Sequence, residues 1–264
     1  MAHDGEHNIL KAGDPGLGFP WGNAYLVFEK ATLDRAMNMS DTSRRQFTTQ
    51  MLALAGGALW NGEVLQPRAY AEGIPASGGE LLPRMKWMNE PASATVSGNG
   101  LVVRARPKTD FWRKTVYGYA TDNGHFFHLP VTGNFVFEAR VNGQYAALYD
   151  QAGLMVRIDA QNWVKCGTEF FDNARHASVV FTREFSDWST MNDLVTNGPV
   201  WWRVVRKPDS LETLCSSDGK NFTSVRLGYL VPSVTADVGI MFAAPEGGGF
   251  QSVFDSLKLT TNGK

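Results

Sequence analysis

The chain has 264 residues, 43% hydrophobic and 19% charged, with a formal net charge of −1. That is globular composition, and its near-neutrality supplies no general field for nucleic acid or an anionic membrane. No uninterrupted apolar run reaches about 18 residues, so no membrane-spanning helix is expected. The two cysteines, Cys166 and Cys215, allow at most one disulfide; both sit in apolar strand-like contexts, which favours free buried thiols.

In chain order, the first recognisable element is an address. Arg44 and Arg45 are adjacent, with Ser43 before them and Phe47 after Gln46. An apolar stretch follows from Met51 to Trp60, and Ala69-Tyr70-Ala71 has the small-x-small form of a cleavage site. Charged head, apolar middle and small-residue exit are the parts of an export signal. The order Ser-Arg-Arg-x-Phe resembles the twin-arginine signal, a receptor-read address for export of folded protein. Thr48 and Thr49 depart from that pattern. The expectation is a twin-arginine signal peptide over 37–71, starting at Met37 or Met39, with 1–36 an upstream extension or a genuine extra segment. The mature protein is then periplasmic or secreted, and its first partner is the twin-arginine export machinery. The N-terminal sequence of the exported native protein is expected to begin at Glu72; a chain still carrying residues before Glu72 overturns the cleavage site.

After a flexible lead-in over 72–86, short alternating runs recur between turn residues. "GLVVRARP" alternates and stops at Pro107. "NFVFEARV" puts Phe135, Phe137 and Ala139 on one face and Val136, Glu138 and Arg140 on the other. "DQAGLMVRIDAQNWVKCGTE", Asp150 to Glu169, reads as a hairpin. Ala152, Leu154, Val156, Ile158, Val164, Cys166 and Thr168 form its apolar side; Gln151, Arg157, Lys165 and Glu169 share the other. The pairing expected from its turn sets Glu169 beside Gly153, and Gly153 with Gly167 leaves open floor for a ligand. "SVVFTRE", "VWWRVVRK", "VTADVGIMFAAP" and "FQSVFDSLKLT" repeat the strand pattern, and Asp218-Gly219 marks another hairpin. Helical periodicity is absent after residue 72, so the mature chain is expected to be one all-β domain of antiparallel strands.

Several pieces together resemble a known family: "TDFW" (Thr109–Trp112), "DQAGLMV" (Asp150–Val156), "KCGTE" (Lys165–Glu169), "SDWS" (Ser186–Ser189) and "SSDGKNF" (Ser216–Phe222). They are similar to the concanavalin A-like proteins of unknown function typified by the fungal "regulation of enolase" protein. "DQAGL…D..NW.K.G.E" is also similar to β-sandwich domains at the C-terminus of some β-xylosidases. The resemblance runs from about Trp87 to the C-terminus. It implies a jelly-roll β-sandwich of two antiparallel sheets over 87–264, with a concave face often used for carbohydrate, and no settled activity.

Carried over by position, the motif residues are Asp110, Trp112, Asp150, Gln151, Lys165, Glu169, Asp187 and Trp188. A sugar site needs planar hydrogen-bonding groups and aromatic platforms. Trp112 and Trp188 would stack on the ligand, and the Asp, Gln, Lys and Glu side chains would bond it. A carbohydrate or similar polyol bound without catalysis is therefore the expected function. A glycosidase would need Glu169 with a second carboxylate, Asp110, Asp150 or Asp187, about 5 Å away or somewhat wider, and a raised pKa. The Glu-x-Asp-x-x-Glu motif of the sandwich-fold glucanases is absent. A lyase would draw on Tyr149, Gln151, Arg157 and His176. A structural or regulatory interaction domain would show an exposed apolar patch instead. No cofactor or metal is expected. His125 and His128, three apart, face opposite sides of a strand and read as satisfied surface residues, and "FWRK" (Phe111–Lys114) is a single basic-aromatic run on a neutral domain.

Overall fold

The protein is described from a computed structural model that covers residues 75–192, 197–233 and 235–261, together with the backbone of two short strands, β1 (His7–Leu10) and β2 (Leu26–Glu29), paired antiparallel. The remainder of the supposed extension and the whole twin-arginine segment lie outside the described residues. The chain divides into two units, Met1–Arg68 and Ala69–Lys264.

The second unit opens with β3 (Ala76–Ser77), a helical turn α1 (Gly78–Leu81) and a 3-10 turn over Leu82–Arg84. Then follow β4 (Lys86–Met88), β5 (Ser93–Ser97), β6 (Gly100–Arg104), β7 (Phe111–Arg113), β8 (Ala120–Asp122), β9 (His125–Thr132), β10 (Phe135–Gly143) and β11 (Gln151–Arg157). The rest are β12 (Asn162–Phe171), β13 (Ala174–Arg183), β14 (Phe185–Met191), β15 (Val200–Arg206), β16 (Ser210–Ser216), β17 (Thr223–Tyr229), β18 (Thr235–Ala243) and β19 (Gln251–Thr261). One sheet runs β17-β16-β15-β10-β19-β6-β5, with β3 added to β19. The other runs β14-β13-β12-β11-β18-β9-β4, and β7 with β8 forms a separate hairpin. All these pairings are antiparallel. The fold is a two-sheet antiparallel jelly-roll sandwich; alternation foretold the antiparallel strands, and the family resemblance implied the jelly roll.

Alternation explains the core. Phe135, Phe137, Ala139 and Val141 from the first sheet meet Ala152, Leu154, Val156, Val164, Cys166, Phe127 and Phe242 from the second. Trp202 and Phe254 are fully enclosed among them. Cys166 and Cys215 are buried free thiols, and burial pushes the Cys215 thiol up to about 11. The stretch read as a flexible lead-in is folded from residue 75 onward. Ala76 and Ser77 pair with Leu259 and Lys258, and Leu81 and Leu82 enter the core, so its apolar pair serves as a plug at the sandwich end.

The hairpin of β11 and β12 sits two residues away from the expected register. Glu169 lies opposite Gln151, and Gly153 opposite Gly167. A slip of two preserves the faces, so the division into apolar and polar sides stands. The glycines have another reason than open floor. A Cβ on Gly153 would lie 1.9 Å from the Cys166 carbonyl oxygen, and one on Gly167 2.3 Å from that of Ala152. The two backbones approach too closely for any side chain. Gly153→Ala is expected to cost about 3 kcal/mol of stability, as overpacking against backbone. A urea-denaturation midpoint unchanged from the parent would refute this.

Candidate functional site

The outer face of the second sheet is crossed by the β7–β8 hairpin, which acts as a strap. Its apolar anchor is Phe111, wholly buried among Phe126, Met155, Trp163, Val180 and Met241, with Met88 and Trp112 alongside. Its polar anchors come from the sheet. Arg157 grips Asp122 through two bonds, 2.8 and 2.7 Å. Lys165 Nζ donates to the Phe111 carbonyl at 2.7 Å and to Asp110 Oδ1 at 3.1 Å. Ser186 Oγ accepts from Arg113 N–H, and Lys114 pairs with Glu184 in the turn between β13 and β14. Arg157 and Lys165, half of the polar set on β11 and β12, thus hold the strap down.

The other half stays beside the strap as a polar floor. Gln151 and Glu169 are cross-strand neighbours there. The Gln151 amide donates to Asp110 Oδ1 at 3.4 Å and to the Tyr149 carbonyl at 3.2 Å. Trp188 Nε1 donates to Glu169 Oε2 and to Ser178 Oγ, both at 3.0 Å. Burial raises the Glu169 carboxyl above its ordinary 4.5; Lys165, Ser178 and Trp188 oppose the shift and Asp110 adds to it. Aromatic rings frame this floor. Tyr149 meets Trp188 edge-on at 6.4 Å and Phe171 meets Trp188 at 5.5 Å, and Tyr117 at the strap tip lies near Tyr149. Tyr117 stacks on Tyr119, and both are exposed, as is Trp188.

Asp110, Gln151, Lys165, Glu169 and Trp188 are therefore brought together. Trp112 is not a free platform: its Nε1 donates to the Thr115 carbonyl and its ring supports Tyr117 from within the strap. Asp150 is turned away from its neighbour Gln151 and is buried, with Oδ2 accepting the Ala146 and Ala147 N–H groups of the preceding loop. Asp187, next to Trp188 on β14, projects from the opposite face and pairs with Arg226 of β17 at 2.7 Å, tying the two sheets together. Neither Asp150 nor Asp187 can serve as the second carboxylate of a pair with Glu169. Arg157, His176 and Tyr149 do not converge as a lyase set, because Arg157 is taken by Asp122 and both nitrogens of His176 by Asn192 Oδ1 and the Phe171 carbonyl. His125 and His128 are buried rather than on the surface. His125 donates through Nδ1 to the Asn89 carbonyl and accepts the Arg106 N–H at Nε2. His128 pairs with Asp237, and burial lowers the pKa of both rings. Among the described residues no group of three His, Cys, Asp or Glu side chains is placed to hold a metal ion. Ser178 and Tyr117 were missed, and Tyr149 was named only as a lyase candidate; alternation along β13 puts Ser178 on the Val180 face, but nothing local marks Tyr117.

The two-sheet antiparallel sandwich is the fold class of the concanavalin A-like proteins that the family resemblance implied. Residues 87–262 match the family described as "Protein of unknown function (DUF1349)", and the chain belongs to it. It is similar to "Regulation of enolase protein 1" of Saccharomyces cerevisiae, 40% identical over 174 residues, 66% of this chain and 88% of that protein. A crystal structure of a functionally unknown protein from the same yeast superposes with a TM-score of 0.67 at 38% identity, covering 69% of this chain and 99% of that one. The fold also recurs at 11% identity and a TM-score of 0.54 in a xylan beta-1,4-xylosidase from Bacillus halodurans, covering 75% of this chain and 41% of that one. The GH43 protein BlXynB of Bacillus licheniformis gives 15% and 0.52, covering 67% and 36%.

Lys165 is the cation on which the buried acids of this face depend, its side chain only 5% exposed. Lys165→Met is expected to cost about 4 kcal/mol, because Asp110 and Glu169 lose their partner while still enclosed. Glu169, with its pKa raised, is favoured in its protonated form by the fold, so stability falls as pH rises through the window above 4.5. Without Lys165 that window widens, and the loss is expected to be larger at neutral pH than near pH 4. Urea titrations at the two values check both signs; an equal loss at each would contradict the account.

Proposed function

We propose that the sandwich is a binding protein for a carbohydrate or similar polyol, held on the strapped outer face of its seven-stranded sheet, and that it does no chemistry on it. The observation that carries this reading is the juxtaposition of Gln151, Asp110 and Glu169 with the rings of Tyr149 and Trp188. Sugars present hydroxyls at their edges and C–H surfaces on their faces, so a floor of planar acceptors beside aromatic walls suits both. The exposed apolar residues Tyr117, Tyr119, Leu148 and Trp188 come from the strap tip, the loop before β11 and β14, the elements that frame this floor. Sugar-active names among the distant fold relatives agree with this reading.

Hydrolysis is the second reading, and the raised carboxyl of Glu169 favours it. Against it, Glu169 is engaged by Trp188 and Asp110 by Lys165, Gln151 and the Phe111 N–H, the arrangement of structural anchors. Export through the Arg44–Arg45 segment belongs to the same proposal and places the binding outside the cytoplasm.

Glycan-array binding by the full chain, with Gln151→Ala and Trp188→Ala variants checked for folding by circular dichroism, tests the reading. The parent is expected to bind a discrete set of glycans and each folded variant to lose at least about tenfold in affinity, worth about 1.4 kcal/mol. No binding to any glycan by the parent, or full binding by both folded variants, sinks it.

A further inference from the structure

The groups on the floor differ in what they still have to offer. Lys165 uses two of its three protons on Asp110 and Phe111. Trp188 uses its one N–H on Glu169 and Ser178. The Gln151 NH2 faces only acceptors, a carboxylate and a carbonyl, which fixes the amide's orientation and leaves Oε1 as its unbonded end. Gln151 is 5% exposed, and among the described residues its Oε1 accepts no hydrogen bond. Asp110 commits Oδ1 to three donors, while among the described residues Oδ2 has none. The unused capacity is therefore almost entirely acceptor capacity.

The charges point the same way. Two carboxylates, Asp110 and Glu169, share one ammonium, Lys165, in an enclosed setting. The cations nearest in the fold are otherwise engaged: Arg157 with Asp122, Lys114 with Glu184, Arg175 with the Asn197 and Gly143 carbonyls. The His176 ring, opposite Glu169 across the strands, uses its nitrogens on Asn192 and Phe171. With Glu169 ionised, Asp110, Glu169 and Lys165 together lack one positive charge, the deficit that the raised pKa of Glu169 reflects. Around it stand Tyr149 and Trp188, whose ring faces attract cations, with Phe171 packed against Trp188 and stacked on His176.

Building on the carbohydrate reading, we infer that the ligand is a sugar bearing a free, protonated amine, with the ammonium seated among Glu169, Asp110 Oδ2 and Gln151 Oε1 against the Tyr149 and Trp188 rings. An ammonium supplies three donors and the missing charge together. A uronate or sugar phosphate would bring acceptors to acceptors and is rejected. Protonation of Glu169 supplies the same missing charge, so a proton and the ligand compete, and binding weakens as pH falls.

The test uses three sugar pairs that differ only in the amine at C2: glucose and glucosamine, galactose and galactosamine, mannose and mannosamine. Each is titrated into the full chain and followed by NMR shifts at about pH 6.5, where the amines are protonated. In at least one pair the amino sugar is expected to bind about tenfold tighter or more. That preference is expected to shrink toward pH 4 in the parent as Glu169 takes up its proton. Glu169→Gln, checked for folding by its melting transition, is expected to bring the two affinities together and to remove the pH dependence. Should Glu169→Gln not fold, the pH series on the parent decides alone. Equal or tighter binding of the parent hexose in every pair overturns the inference and leaves the carbohydrate reading standing. An amine preference that is unchanged at pH 4 overturns it too. Silence from all six sugars overturns the inference, and the glycan array then decides the carbohydrate reading.

Discussion

One ammonium, Lys165 Nζ, joins three parts of this molecule. It grows from the middle of β12, reaches through the outer face and ends between the Asp110 carboxylate and the Phe111 carbonyl. Desolvating a charge costs several kcal/mol unless hydrogen bonds and an opposite charge replace water. The strap supplies both replacements, so the ammonium can be enclosed only where the strap is closed. In return the strap, which is a hairpin too short to be stable alone, gains its fixed position from Lys165, Arg157 and the Phe111 anchor. The position of Asp110, and with it the shape of the floor, follows from that closure.

This answers why β11 and β12 carry a polar set on the face turned away from the core. An exposed sheet face would need only solvated side chains. Here Arg157, Lys165, Gln151 and Glu169 are each under a tenth exposed, and each is hydrogen-bonded to a defined partner. Two of them hold the protein's own hairpin and two are left with capacity toward the cleft. A polar network this enclosed is stable only when nearly complete. The carboxyl with the raised pKa, Glu169, is where it is least complete, and that incompleteness is what a ligand can exploit.

The sandwich was legible because alternation is a local signal. Phe135, Phe137, Ala152, Leu154 and Val156 all fall on the core side that period two assigns them. The same rule, applied strictly, would also have struck residues from the candidate site. Asp187 and Trp188 are adjacent on one strand, as are Asp150 and Gln151 at the edge of another, and neighbours on a strand cannot share a face. Their grouping in sequence motifs concealed this. The strap was not legible at all. "TDFWRKTVYGYATDNG" has no period, and its position is set by partners far along the chain: Arg157, Lys165 and Ser186. Register within the β11–β12 hairpin failed by two residues because the turn, not the face pattern, determines it; Asp159 caps that turn by accepting from the Gln161 and Asn162 N–H groups.

The residues that left the site have reasons that return to it. Asp150 gathers the Ala146 and Ala147 N–H groups and so shapes the loop that delivers Tyr149. Tyr149 itself sits at φ 64, a left-handed conformation that costs a bulky side chain roughly 1 kcal/mol or more. It is held there by its N–H bond to the Phe170 carbonyl and by the return bond from Phe170 to Asp150. Across the floor, Lys114, Val116 and Glu184 are also left-handed, at the strap tip and at its latch. Asp172 and Asn173 share the conformation for an ordinary reason, as the turn between β12 and β13. Glu184, between β13 and β14, and Lys114 and Val116, between β7 and β8, have the same turn explanation; Tyr149, in the loop before β11, does not. Strain that survives in a fold must be imposed by the surrounding contacts, and at Tyr149 those contacts hold the ring beside Trp188 at the edge of the polar floor.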